Sequence, residues 1–139
     1  WLHVAMSWDG AAFKTYVNGD LKITMTDGTT MLATASTPLT MGCNPPIFNC
    51  FNGYFDELRV WNVDRSAADI KANYNKPSLG TEAGLVGYWK FNEAPGAASA
   101  ADSVTSAGHT AHAGKLLATA DNQKPTFISP MPAVPLICP

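Results

Sequence analysis

The sequence predicts an all-β fold, an antiparallel β-sandwich with one short helix. Charged residues make up 14% of the 139-residue chain, against about 25% in typical soluble domains. The chain also contains 11 glycines and 10 prolines, which require frequent turns. Runs of Thr, Val and aromatic residues lie between those turns, and such runs favour strands. The length is sufficient for one domain with a buried core.

The first part of the chain predicts three strands, at about residues 1–8, 12–17 and 21–26. Apolar residues alternate with polar or small ones in the first strand, which is the period of a half-buried strand. Asp9-Gly10 and Asn18-Gly19 separate the three strands. Such pairs favour tight hairpins, because both residues adopt positive φ readily. Connections this short allow only antiparallel pairing.

Four later segments are also predicted as strands: residues 39–42, 51–62, 84–91 and 115–118. In residues 51–62 both faces carry large side chains, so this strand is expected at the centre of a sheet, covered on both sides. The 95–114 region is rich in Gly, Ala and Ser and is expected to form a long loop.

One helix is predicted at residues 67–74. Ser66 is placed as its N-cap, and Asp69 follows three residues later, as in a capping box. Pro77 prevents continuation of the helix. Two helical turns are marginal alone, so packing on the sandwich must hold them.

The charges argue against several classes of function. The net charge is −2 and the nine basic residues are scattered, whereas nucleic-acid binding needs a basic face. No apolar run approaches the ~20 residues that would insert into a bilayer. Glycoside hydrolases need two facing carboxylates, whereas Asp56 and Glu57 are adjacent and would point to opposite faces of a strand. The sequence therefore predicts no enzyme, nucleic-acid partner or membrane insertion.

Two cysteines, Cys43 and Cys50, bracket a short loop that contains two prolines. A disulfide is the preferred interpretation and two free thiols the alternative; without nearby His or Cys partners the pair makes a poor zinc site. A disulfide would indicate an oxidising compartment. Cys138 remains without an assigned partner. Phe48, at the tip of the loop, is predicted to be exposed and to contact a ligand.

Residues 1–10 and 16–19 resemble the hairpins of laminin-G-like (pentraxin-related) domains, which are concanavalin A-like jelly rolls. Residues 51–62, with the sequence FNGYFDELRVWN, are similar to that family's late strand, and the helix after Ser66 lies in the expected place. Residues 84–93, GLVGYWKFNE, also belong to the family's repertoire.

The resemblance implies a domain at residues 1–124, with residues 84–118 completing the sandwich. The alternative is that residues from about 84 begin a second domain. Several N-terminal strands of the family pattern are missing, so the chain is expected to be the C-terminal part of a larger domain. Residues 125–139, which are rich in proline, are predicted to be an extended tail or linker.

The resemblance also implies one structural calcium ion, with Asp56, Glu93 and Asp102 as candidate ligands. Calcium takes six to eight oxygen ligands, usually including several carboxylates. The alternative is that Asp56 caps a turn and Glu93 is solvated. His109 and His112 are interpreted as solvated, because no third metal ligand lies in register with them.

The predicted function is that of a non-catalytic extracellular module, secreted or at the cell surface, in recognition or adhesion. It would bind a glycan or an extracellular protein, usually as part of a larger multidomain protein. The alternative is a structural building block of an extracellular filament or matrix, packed against neighbouring subunits. Aromatic residues that could stack on sugar rings are Trp8, Tyr16, Phe48, Tyr54 and Trp89.

Overall fold

The computed structural model of the protein describes residues 1–26, 39–42 and 51–116. In chain order its elements are β1 (Val4–Trp8), β2 (Phe13–Val17), β3 (Asp20–Met25), β4 (Leu58–Trp61), α1 (Ala67–Asn73), β5 (Leu85–Trp89), β6 (Ser99–Ala100) and β7 (Gly114–Lys115). The strands pair antiparallel, as β1-β2-β3, β4-β5 and β6-β7. The all-β prediction with one short helix is confirmed. None of the helices in the described ranges has the length and apolar character that a membrane crossing requires.

The predicted hairpins join the three strands of the first sheet. At the β2–β3 turn, Asn18 has φ 50° and Gly19 has φ 78°, the two positive values that a type I′ turn needs. At the β1–β2 turn, one carboxylate oxygen of Asp9 accepts the backbone N–H groups of Ala11 and Ala12, at 2.9 and 2.8 Å. The side chain of Asp9 thus fixes this turn.

The first sheet exposes an apolar face. Val4, Met6, Ile23 and Met25 are 57%, 67%, 52% and 51% exposed, and the strand register places them on one side of the sheet. We call these four residues the outer apolar face. The alternating small and polar residues of β1 are instead half-buried, because they face the remaining elements.

The helix forms as predicted and packs against the first sheet. Ser66 is its N-cap, and its hydroxyl accepts the backbone N–H of Asp69. The Lys71 ammonium lies 2.6 Å from the Asp20 carboxylate at the start of β3. Gly19 leaves the space that Tyr74 occupies, since a Cβ there would lie 2.8 Å from the Tyr74 ring.

Two strand predictions are wrong. The segment predicted at 51–62 is a strand only at Leu58–Trp61, because Glu57 adopts φ 56° and ends the extended run. Among the described residues β4 pairs only with β5. Residues 39–42 form no strand.

The described core lies beside β4 and β5. Leu85, Tyr88 and Val104 are buried together, with Trp61 packed against them. Tyr16, on β2, is the other large side chain that is almost completely buried. This core fixes the positions of β4 and of the turn that follows it.

Candidate functional site

A cleft of about 420 Å³ opens between the β1 edge of the first sheet and β4. It is lined by residues 6–8 and residues 59–65, and we call it the β1–β4 cleft. Its volume lies within the ~300–1,000 Å³ range of small-molecule sites. Trp8 comes from β1 and Trp61 from β4, so both sheets contribute a tryptophan to its lining.

The two arginines of the cleft have different surroundings. The Arg65 guanidinium lies over the Trp61 ring, 4.3 Å from its centroid. The Arg59 guanidinium donates to the Glu57 carboxylate and to the Lys76 carbonyl, both at 2.7 Å. Arg59 is thus held in an internal network, whereas within residues 1–26, 39–42 and 51–116 Arg65 is held by stacking on Trp61.

Two polar atoms beneath the cleft are shielded from solvent. The Ser7 hydroxyl and the Arg59 Nε are buried without a hydrogen-bond partner among the described residues. Burying such a group without a partner costs about 1–3 kcal/mol. Both residues also line the cleft.

A hydrogen bond beside Arg59 joins Tyr88 to Glu57. The Tyr88 hydroxyl donates to Glu57 at 2.7 Å. Burial, together with this hydrogen bond and the charge of Glu57, raises the pKa of Tyr88 to about 12. Burial and the positive charge of Arg59 lower the pKa of His3. Tyr88 and His3 therefore remain uncharged at neutral pH.

A second cluster is centred on Asp102. One of its carboxylate oxygens accepts the backbone N–H groups of Tyr88 and Val104, both at 3.1 Å. The other accepts the His112 backbone N–H at 3.0 Å and lies 2.9 Å from His109 Nε2. The Asp102 side chain is 0% exposed. Burial alone would raise its pKa, but these hydrogen bonds outweigh burial and lower it.

Comparison with known proteins assigns the family. Residues 1–71, about half of the 139-residue chain, match the family model described as the concanavalin A-like lectin/glucanases superfamily. The chain belongs to this superfamily. No curated protein and no solved structure matches it. Laminin-G-like domains of the concanavalin A-like type bind carbohydrates or proteins, are generally non-catalytic and are typically extracellular.

The predicted calcium ligands of this concanavalin A-like chain lie in two places. Glu93 accepts the Ala101 backbone N–H at 2.6 Å, one residue before Asp102. Asp56 lies before β4, where burial and the charge of Glu57 raise its pKa. One carboxylate oxygen of Glu93 and one of Asp56 are buried without a partner among the described residues.

The fit of these residues to calcium is incomplete. The two Asp102 oxygens already accept four hydrogen bonds. No group of three or more His, Cys, Asp or Glu residues that could hold a metal ion occurs in residues 1–26, 39–42 and 51–116. The calcium site stays a prediction, and no step of the proposed function depends on it.

Of the two histidines interpreted as solvated, His109 differs from that interpretation and His112 agrees with it. The His109 side chain is only 11% exposed and is paired with Asp102. His112 has an exposed side chain, but its carbonyl accepts the Trp89 indole N–H at 2.8 Å. The Gly- and Ala-rich segment is therefore fastened to β5 by backbone groups, which composition does not reveal.

The structure separates the candidate aromatic residues. Tyr16 is 1% exposed and is unavailable to a ligand, whereas Tyr54 is 60% exposed but lies outside the cleft. Trp8 lines the cleft. Phe48 and the predicted Cys43–Cys50 disulfide lie outside the described residues, as do Cys138 and the tail. Trp61, the last residue of β4, and Arg65, four residues later, were not predicted as site residues.

Proposed function

We propose that this chain is a non-catalytic extracellular recognition module that binds a saccharide in the β1–β4 cleft. The observation that carries the proposal is the meeting of Trp8 with the polar side chains of Asn62 and Asp64 in one cleft. Sugar rings have apolar C–H faces and a rim of hydroxyl groups. The indole of Trp8 suits the former, and Asn62 and Asp64 suit the latter.

The single carboxylate in the lining of the cleft favours binding over hydrolysis. Of the residues that line it, Asp64 alone carries a carboxylate, whereas glycoside hydrolases generally use a facing pair of carboxylates. Superfamily membership supports carbohydrate or protein binding in general. The specific assignment to a saccharide rests on the lining of the cleft.

The test is a binding measurement with the full chain. A saccharide array would select neutral and acidic oligosaccharides, and calorimetry would give their affinities. We expect Trp8→Ala to weaken binding by about tenfold or more, because truncating an aromatic anchor costs about 2 kcal/mol. Tyr54→Ala is the matched control, since it removes an exposed aromatic outside the cleft, and it should change the affinity less than twofold.

Two further results of the same measurement are informative. Binding lost in EDTA and restored by Ca²⁺ would support the calcium prediction. Equal losses in the Trp8 and Tyr54 variants would contradict the placement of the site in the cleft.

The second candidate function is a structural building block of an extracellular assembly. The outer apolar face favours it, because exposed apolar surfaces of this kind commonly mark interaction sites. Self-association of the chain in sedimentation experiments, together with no saccharide binding, would favour this alternative over the recognition module.

A further inference from the structure

We propose that the β1–β4 cleft selects acidic saccharides, with the Arg65 guanidinium pairing with a carboxylate on the sugar ring. This inference rests on the proposed function and specifies the ligand class of the same site. It starts from Arg65, whose guanidinium stacks on Trp61 and is only partly buried.

The stacked geometry leaves the hydrogen-bonding edge of Arg65 available. Stacking uses the face of the guanidinium plane, whereas its N–H donors lie in that plane. Among the described residues no carboxylate forms an ion pair with Arg65, although four other basic side chains do have such partners. Planar N–H pairs of arginine match carboxylate geometry in a bidentate manner.

Of the two arginines that line the cleft, Arg65 is the one that can pair with an anionic ligand. Arg59 is neutralised by Glu57 at 2.7 Å. Asp64 is exposed, and its charge contributes to raising the pKa of Lys14, which itself pairs with Asp9. Asp64 opposes an anionic ligand, so the selection must come from the directed contacts of Arg65 rather than from overall attraction.

The remaining cleft groups suit a sugar better than a free carboxylate. Trp8 offers an apolar surface on the β1 side, and Asn62 offers both a donor and an acceptor. A sugar ring against the Trp8 indole and a carboxylate paired with Arg65 would both lie within this cleft. Indole contact and ion pair together would favour a uronic acid over both a neutral sugar and a simple carboxylate.

The experiment compares three ligands of similar length on the full chain: a hexuronate oligosaccharide, its neutral counterpart and a sulfated counterpart. We expect the hexuronate to bind at least tenfold more tightly than the neutral ligand at low salt. We also expect this preference to shrink as salt screens the charges. Arg65→Gln should weaken hexuronate binding about tenfold and change neutral binding less than twofold.

Two variants control for charge and geometry. Lys115→Gln removes a positive charge on β7, outside the cleft, and should leave the preference intact. Arg65→Lys keeps the charge but loses the planar donor pair, so it should recover only part of the hexuronate affinity. Circular dichroism and melting curves would establish that the variants fold.

The outcomes separate the two proposals. If neutral and acidic ligands bind equally and Arg65→Gln changes neither affinity, the acidic class is overturned while saccharide recognition stands. If no saccharide binds, both proposals fail. Equal affinity for the sulfated and hexuronate ligands would overturn the carboxylate assignment, because the site would then recognise negative charge from either source.

Discussion

Replacing Asp102 by alanine should lower the free energy of unfolding by about 3 kcal/mol, because four donors, three of them part-buried, would lose their acceptor, and leaving a buried donor unpaired costs about 1–3 kcal/mol. These donors are the backbone N–H groups of Tyr88, Val104 and His112, together with the His109 ring. For a chain of this size the melting temperature should fall by roughly 10 °C. Thermal unfolding followed by circular dichroism measures the change.

A series of variants tests whether the hydrogen bonds cause this loss. Asp102→Asn keeps one acceptor oxygen but directs an NH₂ group at existing donors, so its loss should be intermediate. His109→Ala removes one partner and should cost less. Asp64→Ala, at an exposed position without a hydrogen bond in the described part of the chain, should stay within about 0.5 kcal/mol of the parent. Equal losses for Asp102→Ala and Asp64→Ala would contradict a structural role for Asp102.

The local signals in the sequence located most of the regular elements. The alternation in the first strands, the Asn18-Gly19 turn and the Ser66 cap each act within a few residues, so they can be read without knowing the fold. The strand at 51–62 was predicted too long because nothing in the composition indicates the positive φ of Glu57. That conformation places the Glu57 carboxylate against Arg59 and Tyr88.

The candidate sites depend on contacts between distant segments, which the sequence alone does not show. The cleft joins Trp8 to Trp61 and Arg65 across about fifty residues. In the sequence, Asp102 resembles a calcium ligand because it is an acidic residue in a Gly- and Ser-rich loop. In the structure its oxygens accept backbone N–H groups, and no residue pattern distinguishes these two uses of a carboxylate.

Replacing Gly80 by alanine should destabilise the chain by about 3 kcal/mol or more, from backbone strain and overpacking together. Gly80 has φ 84°, and an added Cβ would lie 2.5 Å from the Ser103 carbonyl oxygen. The backbone cannot retreat freely, because the Gly80 carbonyl accepts the Thr105 N–H at 2.8 Å. On the other side, Glu82 accepts the Gly80 N–H at 2.9 Å. Chemical denaturation of parent and variant gives the difference.

Gly96→Ala is a matched control for the Gly80 variant. Gly96 has φ 87°, but nothing lies within 4 Å of an added Cβ. The Gly96→Ala substitution should therefore lower the free energy of unfolding by only about 1–2 kcal/mol, which is the cost of a left-handed backbone conformation for alanine. Equal losses at Gly80 and Gly96 would show that the Ser103 contact relaxes. Because Gly80 and Asp102 both fasten the segment around Ser103, the double variant should lose less than the sum of the single losses. Strict additivity would mean that the two contacts stabilise separate parts of the chain.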